Sequence, residues 1–294
     1  MKHVPSPTTA STIVTAQPRN KCSTVIDRER AIAHAKRYPF ALPNSSYLLV
    51  NGYTWPLHSG DKISAGLLVS YRTDRTCKVG ISDVTGFSGA LEDSLGEDRT
   101  PVVAWGSNGS AEQLTRKFQV EGNPIVIPVI QGELKDFTVV YSAHFAQYGS
   151  IAATPQYTLG TSSVVFVTFL SSAQLEQMHS TEKNYTFRKF DDISLHLDNG
   201  MVLDTAYAYV SRHGCLYFNG GNIALSKIPC SKMLFPHMEE EAVLTLARDL
   251  VAPDKELDEF IYENIIYEEI RNLRTEKLHE FSSPFEYDDT TIIW

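Results

Sequence analysis

The sequence feature that most constrains this fold is an apolar run that stops abruptly in a turn of small residues. Residues 102–105 (VVAW) are β-branched and too few for a helix, so they predict a strand. The segment GSNG follows at 106–109, and Ala111, Leu114 and Phe118 then recur at helical spacing. We therefore predict a strand, a tight turn and a helix in immediate succession.

A turn of this kind can bind an anion. Between a strand and a helix it aims several backbone N–H groups at one point, and the first helical turn adds unpaired donors. Such a turn binds a carboxylate or phosphate, or stabilises the oxyanion of acyl transfer. The segment lacks the spacing of phosphate-binding loops, and Trp105 stands where a serine nucleophile elbow needs glycine. Taken alone, such a turn more often has only a structural role.

Composition argues against several classes of protein. The 294 residues include 26 basic and 35 acidic side chains, a net charge of −9, so we expect no nucleic-acid partner. No apolar run approaches the ~18 residues of a membrane span, and residues 1–20 lack the apolar core of a secretory signal. We therefore expect a cytoplasmic protein without a membrane partner. The four cysteines are widely separated and have no zinc-ligand spacing, so we expect neither a metal nor a cofactor.

Local patterns predict further strands and helices. Asn51-Gly52 tolerates positive φ angles, which predicts a hairpin turn between strands at 47–50 and 53–55. Residues 86–99 are polar and glycine-rich, which is typical of a loop. Further strands are predicted at 63–71, 77–81, 137–145, 164–170, 193–197 and 205–210, and helices at 27–38, 243–250 and 257–265.

A second informative segment lies downstream of the turn. Ser171 with Gln174 predicts a capping box that opens a helix carrying Leu175 and Met178. Glu182 comes directly after this helix. An acid in that place is usually exposed to solvent, so spacing alone assigns it no chemistry.

Together these segments resemble the γ-glutamylcyclotransferase family. That family has a Y-G-S-N/L loop after its first strand, which 102–108 (VVAWGSN) resembles. It also has a single catalytic glutamate downstream, which Glu182 in TEKNY at 181–185 resembles. Three further segments follow the family's order: LKDF at 134–137, IAATP at 151–155 and GTSSVVF at 160–166. The resemblance covers about residues 101–190. Trp105 in place of tyrosine, Lys183 in place of glycine, and His179 near the usual aspartate depart from the family pattern.

The resemblance implies a reaction and a set of site residues. The α-amine of a γ-glutamyl group attacks its own γ-carbonyl, which closes 5-oxoproline and releases an amine. Glu182 would be the general acid and base. Gly106, Ser107 and Asn108 would bind the carboxylate or oxyanion of a small-molecule γ-glutamyl substrate, with Trp105 and Tyr185 lining the pocket.

The resemblance also implies an α+β fold with a small, mixed, mostly antiparallel, β-barrel-like core. We predict four regions along the chain. They are a flexible N-terminal arm at 1–24, an N-terminal extension with strands at 25–100, the family-like core at 101–190, and a C-terminal strand and helical extension at 191–294.

Two other functions stay open from the sequence. The fold is also compatible with a non-catalytic binding or interaction module whose extensions carry the function. An amide hydrolase with a serine or cysteine nucleophile is the third candidate, and it needs a base within hydrogen-bond reach of Ser107. His144 and Tyr148, in the segment SAHFAQYG, either face the same pocket or have structural roles.

Overall fold

The structure is a computed structural model that describes residues 21–57, 66–71, 75–80, 94–118 and 125–294. The first twenty residues of the predicted arm lie outside these ranges. So does the predicted loop at 86–99 as far as residue 93. The described residues form an α+β fold with a largely antiparallel sheet.

The helices with described bounds are α1 (Lys21–Ala35), α2 (Ala111–Phe118), α3 (Ser172–Thr181), α4 (Glu240–Val251), α5 (Leu257–Ile266) and α6 (Glu268–His279). The first strands are β1 (Tyr47–Val50), β2 (Tyr53–Pro56), β3 (Gly66–Tyr71), β4 (Arg75–Gly80), β5 (Thr100–Ala104), β6 (Val126–Phe145) and β7 (Ile151–Leu170). They are followed by β8 (Tyr185–Phe190), β9 (Leu195–Leu197), β10 (Val202–Leu203), β11 (Ala206–Ser211), β12 (Cys215–Phe218) and β13 (Gly221–Asn222). The last strands are β14 (Ala224–Leu225), β15 (Cys230–Ser231), β16 (His237–Met238), β17 (Ser282–Ser283) and β18 (Thr290–Ile292). In the part of the chain that the structure covers, no helix has the length and apolarity needed to span a bilayer.

The sheet is built around a hairpin of two 20-residue strands, β6 and β7. The sequence predicted only their apolar ends, at 137–145 and 164–170. Polar residues interrupt the apolar pattern in between, and the pairing shifts register between Lys135 and Phe137. Asp136 there has a φ of 64°, which is typical of a bulge that lets a long strand bend without ending.

The longest path through the sheet runs β10-β9-β6-β7-β5-β11-β8-β18. Neighbours along it are antiparallel except β5 and β11, which are parallel. The pairings of the described strands leave this sheet open, so the predicted barrel-like closure is not found. Strands from outside 101–190, such as β1 on β6 and β18 on β8, extend the same sheet. The division of the chain into domains stays a prediction.

Several local predictions are confirmed. β5, a 3₁₀ turn at Ser107–Gly109 and α2 follow one another as expected. Asn51 and Gly52 have φ angles of 49° and 86° in the β1–β2 hairpin. Ser171 and Gln174 form both hydrogen bonds of a capping box at the start of α3. The helices at 243–250 and 257–265 are α4 and α5.

Two helices differ from the predictions. α1 begins at Lys21 rather than at Asp27 and ends before Tyr38. α6 was not predicted, because its sequence, EEIRNLRTEKLH, is dominated by charged residues. Its buried face includes Arg274, which donates to the Phe260 carbonyl at 3.1 Å and to Asn264 Oδ1 at 2.8 Å. These hydrogen bonds allow the charged Arg274 side chain to be buried, and a search for apolar residues at helical spacing does not detect such a helix.

Candidate active site

A cavity of about 910 Å³ lies where β5, α2, α3, β7 and α6 come together. Its lining includes all six residues that the sequence predicted: Trp105, Gly106, Ser107, Asn108, Glu182 and Tyr185. His144 and Tyr148 line it as well. Residues of α6 form a further part of the wall, including Arg271, Asn272 and Thr275. A volume of this size holds a small-molecule substrate.

Glu182 is placed at the cavity by the end of α3. The capping box fixes the start of this helix, and Leu175 and Met178 bury one of its faces in the core. Glu182 is the C-cap residue, and its N–H donates to the His179 carbonyl at 3.2 Å. The residue is only 7% exposed, unlike an ordinary acid after a helix. Helix α3 therefore holds a buried carboxylate at the edge of the cavity.

The carboxylate of Glu182 has two polar partners. Asn108 Nδ2 donates to Oε1 at 3.1 Å, and the ammonium group of Lys117 forms a close ion pair with the same oxygen. Lys117 also donates to Asn108 Oδ1 at 2.8 Å, so the three side chains form a closed triad. A negative charge at the C-terminus of a helix is unfavourable to the helix dipole. The Lys117 ammonium offsets this effect and stabilises the charged carboxylate.

Sequence reasoning missed Lys117. Its side chain is 13% exposed and reaches the cavity from the last turn of α2. The signal that was present is its position three residues after Leu114, which puts Lys117 beside the buried face of the helix. A lysine at the end of a helix is ordinary, however, because cations are favoured there.

Gly106 is required by a close approach of backbone and side chains. A Cβ atom at this position would overlap the Tyr38 hydroxyl oxygen and would lie 3.0 Å from the Ala153 Cβ. The following turn uses the N–H groups of Gly109 and Ser110, which donate to the carbonyls of Gly106 and Ser107 at 3.0 and 2.9 Å. The N–H groups of Ser107 and Asn108 are outside these two hydrogen bonds.

Three tyrosines, one buried and two partly buried, surround this turn. The Ala153 N–H donates to Tyr38 Oη at 2.8 Å, and Tyr185 donates to the Ala153 carbonyl at 3.2 Å. Tyr148 hydrogen-bonds to the Ser107 side chain. Burial raises the pKa of all three phenols well above the usual value, so each keeps its proton at neutral pH.

The Trp105 ring faces the apolar core. It packs against Phe137 and Phe190 at centroid distances of 6.3 and 6.2 Å. Its indole N–H is buried without a hydrogen-bond partner among the described residues. Trp105 is therefore held by packing, and its position in the cavity wall gives it no observed polar contact.

The contacts of Ser107 and the burial of two cysteines, Cys77 and Cys215, do not favour these three groups as nucleophiles. Within the described ranges, neither a histidine nor a carboxylate hydrogen-bonds to Ser107, so no base is in place to activate its hydroxyl. Burial raises the pKa of the Cys77 and Cys215 thiols to about 12, so both stay protonated at neutral pH. The described residues also contain no cluster of His, Cys, Asp and Glu side chains that could hold a metal ion.

His144 forms part of the cavity wall in its neutral form. Ser142 Oγ forms a close hydrogen bond with His144 Nδ1 and lies 2.7 Å from Ser211 Oγ. The His213 ring stacks on that of His144 with the centroids 4.9 Å apart. Burial, reinforced by His213, lowers the pKa of His144 to about 3. The imidazole therefore contributes a neutral polar surface.

His144→Asn is expected to flatten the dependence of stability on pH. A depressed pKa means that the unfolded chain takes up a proton below about pH 6.5, while the folded chain does so only near pH 3. The stabilisation is thus complete above pH 6.5 and is lost as the pH falls towards 3. The free-energy difference between the wild type and the variant should shrink by about 2 kcal/mol between pH 7 and pH 5. Urea unfolding at both pH values measures it, and a constant difference would contradict the prediction.

Comparisons with known proteins give limited information. No protein-family model matches this chain, and no curated protein matches it either. A solved structure described as "Gamma-glutamyl cyclotransferase" is similar at 15% sequence identity and a TM-score of 0.30. The match covers 64% of this chain and 90% of that chain. At this TM-score the likeness is weak and carries no argument about function, which has to rest on the site itself.

Proposed function

We propose that this protein catalyses γ-glutamyl cyclotransfer, with Glu182 as the general acid and base. The observation that carries the proposal is a buried carboxylate, held by Asn108 at 3.1 Å, in the wall of a 910 Å³ cavity beside the turn at 106–108. A buried carboxylate at a cavity and next to backbone donors is an arrangement suited to proton transfer at a carbonyl.

The proposed reaction needs no group beyond the substrate and the chain. The α-amine nitrogen of the γ-glutamyl group attacks the γ-carbonyl carbon, and the bond between this carbon and the amide nitrogen breaks. Glu182 accepts the proton that the attacking nitrogen loses and returns it to the leaving nitrogen. Nothing is oxidised or reduced, and the products are 5-oxoproline and the free amine.

The partners of Glu182 have distinct roles in this proposal. Lys117 stabilises the charged carboxylate, which is the form that accepts a proton. Asn108 fixes the orientation of the oxygen to which it donates, because the Asn108 side chain is itself held by Lys117. The turn at 106–108 receives the glutamyl group, and the Asn108 N–H, which is not used in the hydrogen bonds within the turn, is its donor to the negative charge that develops on the carbonyl oxygen.

The same triad favours a second candidate function, a pocket that binds γ-glutamyl compounds without turnover. A carboxylate paired with an ammonium group is already charge-balanced, and structural ion pairs are built in the same way. An enzyme differs from a binding module in that Glu182 takes a proton from the attacking nitrogen and passes it to the leaving nitrogen.

The test is release of 5-oxoproline by the purified full-length chain. The panel consists of γ-glutamyl amino acids, γ-glutamyl amines and glutathione, and product is quantified by chromatography. Release from at least one member is expected. Thermal stabilisation by a panel member without release would support the binding module. If no panel member is turned over and none stabilises the protein, both functions are contradicted.

A further inference from the structure

Tyr38 reaches the cavity from outside the family-like segment at 101–190. It follows α1 in the chain and is 3% exposed. Its hydroxyl oxygen accepts the Ala153 N–H at 2.8 Å and also the backbone N–H of Ser107. The N–H of Ser107, which the sequence analysis assigned to the substrate, is thus already bonded to Tyr38.

The hydrogen of this hydroxyl has no acceptor within the ranges that the structure describes. A tyrosine hydroxyl has one O–H donor and two lone pairs, and here two N–H groups approach the oxygen. Among the described residues, no oxygen or nitrogen accepts its O–H. The side chain lines the 910 Å³ cavity, where a ligand is within reach. A buried donor without an acceptor is costly, so a ligand oxygen that accepts this hydrogen bond would be bound favourably.

The Tyr38 ring is held rigidly. It stacks on Tyr148 with a centroid distance of 6.2 Å and meets Phe40 edge-on at 5.6 Å. Ala153 and Ser107, the two donors to its oxygen, belong to β7 and to the turn after β5. The direction of the O–H group is therefore set before any ligand binds, which is what electrostatic stabilisation of a reacting oxygen requires.

We propose that the Tyr38 O–H donates to the γ-carbonyl oxygen of the bound glutamyl group. The Ser107 N–H then donates to the Tyr38 oxygen, and the Tyr38 O–H donates to the ligand in the cavity. A residue of the N-terminal extension is thus part of the proposed active site. This inference rests on the proposed function, since it names the oxygen on which charge develops during cyclotransfer.

The test compares two ligands that differ at this oxygen. 5-Oxoproline keeps the former γ-carbonyl oxygen on its ring, whereas proline lacks it. Binding of both ligands is measured by isothermal titration to the wild type, to Tyr38→Phe and to Tyr53→Phe. Tyr53 is the matched control, because it is 73% exposed on β2. Because proline also carries a charged amine where 5-oxoproline has an amide nitrogen, the informative quantity is the ratio of the two affinities. The preference for 5-oxoproline over proline in the wild type and in Tyr53→Phe should fall about tenfold in Tyr38→Phe.

The preference for 5-oxoproline separates a ligand contact from a structural role. Loss of packing would weaken the binding of both ligands equally and leave the ratio of their affinities unchanged. An unchanged ratio in Tyr38→Phe, or a wild type that does not distinguish or bind the two ligands, overturns the proposal. The release assay is read separately. A preference that depends on Tyr38 without any 5-oxoproline release supports the contact and contradicts cyclotransfer.

Discussion

Glu182→Gln is expected to lower kcat for 5-oxoproline release by about 10³-fold, because an amide cannot accept the proton that the attacking nitrogen loses. The substitution changes neither the size nor the shape of the side chain. The new Oε1 can still accept from Asn108 and Lys117 as the carboxylate does. We therefore expect a protein that still folds, with a lower free energy of unfolding because Lys117 loses its counter-charge, and with little change in KM. Steady-state kinetics on the best panel substrate measures the effect.

Glu176→Gln is the matched control for this prediction. Glu176 lies on the same helix, α3, but its side chain is exposed and does not line the cavity. The kcat of the Glu176→Gln variant should equal that of the wild type. A Glu182→Gln variant that keeps more than a tenth of wild-type kcat would show that another group moves the proton.

Lys117→Met is expected to destabilise the protein by about 3 kcal/mol. Removal of one partner leaves the buried Glu182 carboxylate without its counter-charge, and breaking such pairs costs about 3–5 kcal/mol. We expect the lower end of that range, because both side chains keep some contact with solvent. Urea unfolding at pH 7 measures the change. Lys183→Met, at an exposed lysine next to Glu182, should change the free energy of unfolding by less than about 0.5 kcal/mol.

The double variant Lys117→Met/Glu182→Gln tests the cause of this loss. With the negative charge gone, most of the destabilisation should disappear, leaving about 1 kcal/mol relative to the wild type. The two substitutions would then be strongly non-additive. Simple additivity of the single effects would show that Lys117 stabilises the protein through packing of its methylene groups rather than through its charge.

Sequence patterns predicted the parts of this fold that depend on neighbouring residues. The capping box at Ser171 and the Asn51-Gly52 hairpin are local hydrogen-bond and backbone preferences, so a few residues determine them. The extent of β6 and β7 was underestimated, because burial on both faces overrides their local polarity. α6 was missed because its buried arginines, Arg271 and Arg274, are satisfied by partners on the preceding helix α5, and an apolar pattern does not show such hydrogen bonds.

The candidate site was predictable only in part. Glu182 and Asn108 are 74 residues apart, and their proximity followed from a family resemblance rather than from the local sequence. Lys117 and Tyr38 have no local signature, because their roles arise from contacts between α2 and α3 and between the segment after α1 and β7. Such contacts depend on how distant segments pack, which short-range patterns do not record.

The contribution of α6 to the cavity wall has an evolutionary consequence. Arg271, Asn272 and Thr275 line the same space as Glu182 but belong to an element about ninety residues away in the chain. Neither the triad of Asn108, Lys117 and Glu182 nor the turn at 106–108 uses α6 as a hydrogen-bond partner. Under the proposed function, we therefore expect substitutions in this helix to alter which molecules fit while leaving proton transfer by Glu182 intact. Descendants of this chain would then diversify in substrate preference through α6 and keep the proposed reaction in common.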